Sequence, residues 1–192
     1  MKKYKVIYAD PPWHYGSKSA VNNSSGSEIK PLKDQYTTTK TKDLCNMDVK
    51  SICEDESVLF MWVTDSHLPD ALEIIKAWGF KYKTIAFNWV KTTSKGNYCK
   101  NVAPWTMKSS EICLIATRGA MTKHKIKNNV ESLVFSERTK HSKKPDEVRE
   151  RITDLFGDVS RLEMFARTSA SGWDVFGNEA PNSIEIGIKE NA

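Results

Sequence analysis

The chain has 192 residues, 39% of them hydrophobic and 28% charged, with a net charge of +5 and a pI near 8.9. That length suits one domain with a sizeable core and argues against a second large one. No apolar run approaches the roughly 20 residues of a membrane span, and strand-forming residues begin at the N-terminus. A cytoplasmic protein without a membrane anchor is expected.

The first element is Lys5-Val6-Ile7-Tyr8-Ala9, whose β-branched and aromatic residues suit a buried strand. Pro11 and Pro12 have no N–H to give a ladder and fix φ, so the strand must end near Asp10. Asp10 thus falls at a strand's carboxyl end, the rim where open α/β sheets bind ligands. The polar stretch from Gly16 to Gln35 is longer than a connector needs and reads as a substrate lid. A helix capped by Thr39 or Thr41 is expected to carry Leu44, Met47 and Ile52. Ser57 to Val63 is continuously apolar, as a strand covered on both faces would be.

Pro69 to Trp78 reads as a helix with an apolar stripe of Leu68, Leu72, Ile75 and Trp78, stopped by Gly79. Tyr82 to Val90 is a further strand. Lys91 to Lys108 then reads as a long loop in which Lys91, Lys95, Lys100 and Lys108 interleave with Tyr98 and Trp105. Glu111 to Thr117 is strand-like and ends at Arg118-Gly119. A basic stretch, Lys123 to Lys127, precedes a short strand over Glu131 to Phe135. Pro145 to Phe156 is the second clear helix, opened by proline and two acids and closed by Gly157. Arg161 to Ala166 is another strand, followed by a turn and Gly172 to Glu179.

Strands alternating with helices imply a three-layer, Rossmann-like α/β fold with a mainly parallel sheet. One domain over residues 1–180 with a tail over 181–192 is expected. Cys45, Cys53, Cys99 and Cys113 are widely spaced, as are the four histidines, so neither a disulfide framework nor a metal site is expected. The nine glycines form no G-x-G-x-x-G, and neither G-K-[ST] nor G-x-S-x-G occurs. Dinucleotide oxidoreductase, P-loop NTPase and α/β-hydrolase readings lose ground together.

Asp10-Pro11-Pro12-Trp13 at a strand end suits methylation of an aromatic exocyclic amine. Such a nitrogen is a weak nucleophile because its lone pair is delocalised into the ring. Accepting both N–H groups returns density to nitrogen. Asp10 offers one acceptor and the Pro11 carbonyl a second, Pro12 stiffens the turn, and Trp13 is placed to stack on the base.

Further blocks accompany that motif. They are Phe60-Met61-Trp62-Val63-Thr64, Trp78-Gly79-Phe80, Trp89-Val90-Lys91, His141 to Glu147, Leu162 to Arg167 and Gly177-Asn178-Glu179. In this order, from Ile7 to Glu179, the chain resembles the DPPW-containing N6-adenine methyltransferases. That family includes the catalytic subunit of the eukaryotic mRNA adenosine methyltransferase and compact bacterial and phage members. The resemblance implies S-adenosylmethionine as cofactor, a catalytic block preceding the cofactor blocks, and cofactor contacts at Asp10, Ser142, Lys144, Phe165, Arg167, Asn178 and Glu179. Lys144, just before a helix N-terminus, would hold the cofactor's carboxylate, and Glu179 would accept from ribose hydroxyls. Ser169 and Ala170 stand where the mRNA enzymes carry larger polar residues, and Glu179 replaces an amide found in some members.

The compact chain resembles the DNA-acting members, so DNA adenine is the expected substrate. Lys91, Lys95, Tyr98, Lys100, Trp105 and Lys108 are the expected nucleic-acid contacts, with Lys123 to Lys127 as a second phosphate site. The alternatives are RNA adenosine methylation and a catalytically silent nucleic-acid-binding subunit, which the intact Asp10-Pro11-Pro12-Trp13 disfavours.

Overall fold

The expected alternation of strands and helices closes into one seven-stranded sheet, ordered β5-β3-β4-β2-β1-β6-β7. The computed structural model describes residues 2–13, 39–139, 143–177 and 179–189. The Gly16–Gln35 stretch read as a lid lies outside the described residues. The strands are β1 (Tyr4–Ala9), β2 (Cys53–Val63), β3 (Lys81–Thr92), β4 (Ser110–Arg118), β5 (Leu133–Glu137), β6 (Arg161–Ala166) and β7 (Asp174–Gly177). The helices are α1 (Thr41–Asn46), α2 (Leu68–Ala77) and α3 (Asp146–Phe156).

β4 runs against both its neighbours, β2 and β3, while all other pairings are parallel. The reversal follows from chain connectivity. No helix separates β3 from β4, and only antiparallel neighbours can be joined without a crossover. The expected loop between them is a β3–β4 hairpin that folds twice: Cys99 donates its N–H to the Lys91 carbonyl at 2.8 Å across a turn at 93–97, and Asn101 and Lys108 exchange backbone hydrogen bonds of 2.9 and 2.8 Å across a second turn at 102–107.

Period-two alternation divides the core into two layers. Ile7, Ala9, Leu59, Met61 and Val63 pack under α1 and α2 with Leu44, Ile74, Ile75 and Trp78. Val6, Tyr8, Val58, Phe60 and Trp62 pack under α3 with Val148, Ile152 and Phe156. Polar atoms within these layers find partners. The Trp62 indole donates to Tyr8 Oη at 2.6 Å, and the Trp78 indole donates to the Leu44 carbonyl at 2.7 Å.

Two local expectations need correcting. α1 stops at Asn46, a separate 3-10 turn spans Val49–Ile52, and Lys40 rather than a threonine occupies the N-cap. Thr41 instead donates its hydroxyl to Asp70 at 3.0 Å, tying α1 to α2. The segment read as a tail is docked: Asp48 N–H bonds the Gly187 carbonyl at 2.9 Å, and Lys189 Nζ donates to the Cys45 and Ala77 carbonyls at 2.7 and 2.6 Å. Lys189 thus satisfies helix-end carbonyls that would otherwise lack donors.

Candidate active site

β1 lies between β2, the next strand in the chain, and β6, reached only after the chain has built the far side of the sheet. Such a reversal of strand order opens a crevice at the carboxyl ends. Asp10 sits there, its N–H on the Met164 carbonyl of β6 at 3.4 Å. The Trp13 N–H turns back to the Pro11 carbonyl at 2.9 Å, and the Pro12 carbonyl accepts from Thr39 N–H at 2.9 Å. Among the described residues the Pro11 carbonyl therefore keeps one lone pair, since a carbonyl oxygen has two.

This tight turn revises the role expected for Trp13. Turned back on the Pro11 carbonyl, its ring is 93% buried against α1 and α2, with its face on His67 at 5.3 Å between centroids. His67 is fixed in turn by Thr64, whose Oγ1 lies 2.9 Å from Nδ1. Trp13 is thus part of the floor of the crevice and not a projecting stacking platform. Its indole N–H has no acceptor among the described residues.

The α3 side of the crevice holds an alternating chain of charge. Asp10 Oδ2 lies 2.8 Å from Lys144 Nζ, which lies 3.3 Å from Glu111 Oε2, and the other oxygen of Glu111 accepts from Lys91. The two ammonium groups also lie over indole rings, Lys144 over Trp62 at 5.7 Å and Lys91 over Trp89 at 4.9 Å. Withdrawal from water pushes the Asp10 carboxyl above its usual range, against the attraction of Lys144. Burial works against the Lys144 ammonium, yet Asp10 and Glu111 together hold its pKa above the ordinary value. Burial likewise opposes ionisation of Glu111, and Lys144 and Lys91 outweigh it. The network is two acids and two bases, neutral as a set.

Glu111 has no place among the residues singled out from sequence. Its signal was available: an acid two positions before Cys113, on the inward face of an otherwise apolar strand, needs a buried cation. Lys91 is correspondingly misplaced as a nucleic-acid contact, because it is 8% exposed and neutralised by Glu111. Lys144, expected at the cofactor's carboxylate, stands on Asp10 itself. Lys95, Lys100, Tyr98 and Trp105 are exposed on the β3–β4 hairpin, and Lys108 pairs with Asp65 at 2.7 Å.

The remaining cofactor expectations fall around the end of β6. Phe165 has a left-handed φ of 63°, where the β6–β7 register shifts between Met164 and Ala166. A bulky residue there stores about 1–3 kcal/mol of strain, a cost that clusters at ligand sites. Its ring meets Phe176 edge-on at 6.1 Å. Arg167 Nε and Glu179 Oε1 are 3.8 Å apart, and Glu179 N–H bonds the Ala166 carbonyl at 3.2 Å. The structure thus brings Phe165, Arg167 and Glu179 together. Ser142 and Asn178 lie outside the described residues. The following loop is clamped by Arg161, whose Nε donates to the Gly172 carbonyl at 3.0 Å and whose plane lies over Trp173 at 5.7 Å. Gly172 has φ 75°, and a Cβ there would stand 2.7 Å from Arg161 Nη2.

A cleft of about 560 Å3 opens between α3 and this loop, lined by Lys143, Asp146, Arg149, Ser169 and Trp173 among others, without reaching Asp10. Its cations are paired: Arg149 with Asp146 and, beyond the cleft, with Glu163 at 2.9 Å, and Lys143 with Asp146 at 2.5 Å. In the Lys123–Lys127 stretch Lys125 is exposed, and its neighbours are paired with acids. Glu56 takes Lys123 at 2.7 Å and His124 at 2.6 Å, while Asp154 takes Lys127 at 2.7 Å. Among the described residues no His, Cys, Asp and Glu cluster could hold a metal, and no helix is long and apolar enough to cross a membrane.

The chain that carries this turn and charge chain matches the MT-A70 family over residues 4–179. The chain belongs to the MT-A70 family. It is 38% identical over 196 residues to the type II methyltransferase M.MunI of a Mycoplasma species, covering 96% of this chain and 82% of that protein. It is 24% identical over 187 residues to the human N(6)-adenosine-methyltransferase catalytic subunit METTL3, with 96% of this chain and 28% of that protein covered. An Arabidopsis thaliana MT-A70-like N(6)-adenosine-methyltransferase is 24% identical over 181 residues, covering 92% of this chain and 24% of the relative. The chain therefore spans about a quarter of these two eukaryotic MT-A70 proteins but most of the bacterial one.

Proposed function

We propose that this protein is an S-adenosylmethionine-dependent methyltransferase acting on the exocyclic N6 amine of adenine in DNA. The observation that carries the reading is Asp10 at the mouth of the crevice, with one oxygen on Lys144 and the Pro11 carbonyl retaining a free lone pair beside it. DNA is favoured over RNA because the match to the type II methyltransferase, a class of DNA-modifying enzymes, runs nearly end to end, whereas the N(6)-adenosine-methyltransferases are matched over a small share of their length.

The residues present fit the cofactor. The crevice offers a buried ammonium at Lys144 for a carboxylate and a carboxylate at Glu179 for hydroxyl pairs. Lys144, Phe165, Arg167 and Glu179 would hold it, with Ser142 and Asn178 as further contacts. Bound there, S-adenosylmethionine supplies an electrophilic methyl group.

The chain's own part is to prepare the nucleophile. Asp10 and the Pro11 carbonyl accept the two amine hydrogens, directing the nitrogen lone pair out of the ring plane. The prolines hold that geometry beforehand, so little reorganisation is needed at the moment of reaction. Lys144 favours the ionised form of Asp10 and aims it, against burial and the like charge of Glu111, while Glu111 helps hold Lys144 charged. The surplus proton of the alkylated nitrogen has Asp10 as its nearest acceptor.

The test is methyl transfer from labelled S-adenosylmethionine to separate pools of unmethylated DNA and RNA, with the product nucleosides identified after digestion. Label recovered as N6-methyldeoxyadenosine is expected. Label in RNA alone would reject the DNA assignment, and cofactor binding without label in either pool would favour a silent nucleic-acid-binding subunit.

A further inference from the structure

Trp105 is 95% exposed, although tryptophan is among the side chains that gain most from burial. It occupies the tip, residues 102–107, of the second of two successive hairpins between β3 and β4, where Val102 and Met107 are also exposed; the first turns over residues 93–97. The hairpin beneath it is well anchored. Asn101 and Lys108 close the tip with two backbone bonds, and Arg138 donates to the Asn101 side chain at 2.8 Å. Pro104 fixes the backbone immediately before the indole.

The roots of the hairpin are functional. One strand leaves from Lys91 and the other returns into Glu111, the two members of the charge chain that leads through Lys144 to Asp10. Lys108 ties the second arm to Asp65, in the loop that also holds His67 against Trp13. An apolar tip therefore leaves the carboxyl rim of the sheet on a hydrogen-bonded stem rooted beside the crevice. No acid occurs between Lys91 and Ser110, and Lys95, in the first turn, and Lys100, just before the second hairpin closes at Asn101, are both exposed. An acid-free, lysine-flanked aromatic tip is complementary to a polyanion with flat apolar faces inside, which describes stacked bases.

Asp10 lies recessed at the sheet rim, so an adenine within a duplex must leave its stack to reach it. That movement opens a gap one base high, and an apolar wedge lowers the cost of the opening. Resting on the DNA-amine reading above, we propose that the β3–β4 hairpin is a duplex-opening wedge and that Trp105 fills the stack vacated by the target adenine.

The experiment compares wild type, Trp105→Ala and Trp105→Phe on genomic DNA from a bacterium lacking adenine methylation, presented as duplex and as heat-denatured single strands. Because Trp105 is solvent-exposed, the variants should melt with the wild type, and thermal denaturation checks this. For Trp105→Ala, methyl incorporation into duplex is expected to fall about tenfold or more, a typical loss for one base–aromatic stack. Incorporation into single strands should stay within about threefold, and Trp105→Phe should recover most duplex activity. Equal loss on both forms, or no loss on duplex, would overturn the wedge while leaving the methyltransferase reading intact. So would a change of oligomeric state in Trp105→Ala accompanied by equal loss on both forms, which would make the tip a protein contact. A wild type that labels neither form would overturn the underlying reading, and the wedge with it.

Discussion

The segment between β3 and β4 and the 121–129 stretch after β4 are both lysine-rich, and they sit at opposite rims of the sheet. β4 separates them because it runs antiparallel to its neighbours. It enters at the carboxyl rim, where Glu111 faces Lys144, and leaves at the amino rim, beside Glu56 near the start of β2. At the carboxyl rim one lysine is drawn into the charge chain that leads to Asp10, while Lys95 and Lys100 stay in solvent. At the amino rim Lys123 and Lys127 are each matched by an acid. Similar charge in sequence therefore has a different availability in space, and the strand direction between the two segments decides which is which.

The largest contrast concerns the acid that only the hairpin's roots reach. Asp10→Asn is expected to lower single-turnover methyl transfer about a hundred- to a thousandfold, the usual cost of deleting one aligned polar group at a reacting centre. Cofactor affinity, measured by calorimetry, should stay within a few-fold. Glu56→Gln, its counterpart at the amino rim, should leave transfer within about twofold.

Next is stability. Glu111→Gln leaves Lys144 and Lys91 sharing one buried carboxylate fewer, and loss of one partner from a buried ion pair costs about 3–5 kcal/mol, lessened here by the amide's hydrogen bonds. A drop of about 3 kcal/mol in urea denaturation is expected. An unchanged midpoint would mean that the chain Asp10–Lys144–Glu111–Lys91 is not a mutually dependent unit.

The pH dependence should also divide the two rims. Asp10 has a folded pKa above its unfolded value, so its ionised form is a cost to folding that is lifted as pH falls. Transfer needs that ionised form, and the acid limb of the single-turnover rate is expected above the ordinary carboxylate range. Glu56 is the opposite case: hydrogen bonds from Lys123 and His124 lower it from 4.5 to about 2. Its contribution to stability is present above the unfolded value and is lost as pH falls towards about 2. Acid titrations of wild type and Glu56→Gln should converge there.

The smallest effects are in the salt dependence of DNA binding. Each phosphate contact removed lowers the slope of log K against log salt by about 0.9. Lys95→Ala and Lys100→Ala should each do so in filter-binding or anisotropy titrations. Lys91→Met, Lys123→Ala and Lys127→Ala should not. A reduced slope in Lys123→Ala would erase the distinction between the rims.

Much of the frame was legible in the chain. Val6 to Tyr8 as a buried strand, the stop at Pro11-Pro12, α2 ended by Gly79 and α3 ended by Gly157 are all matters of local chemistry. Periodicity, proline and left-handed glycine act within a few residues, so sequence reports them well. Asp10 at a strand's carboxyl end also follows from such rules. Three things depended on residues far apart in the chain. Lys144 lies 134 residues from Asp10 and pairs with it only because β1 is placed between β2 and β6. Glu111 enters the site because β4 is reversed, and Lys91 is removed from the surface by the same pairing. Trp13 turns into the core because His67 is there to receive it. Burial and charge pairing are properties of neighbours in space. Sequence alone determined which elements form and where the acid stands; the packed sheet decided which charges are shared, which are neutralised and which face solvent.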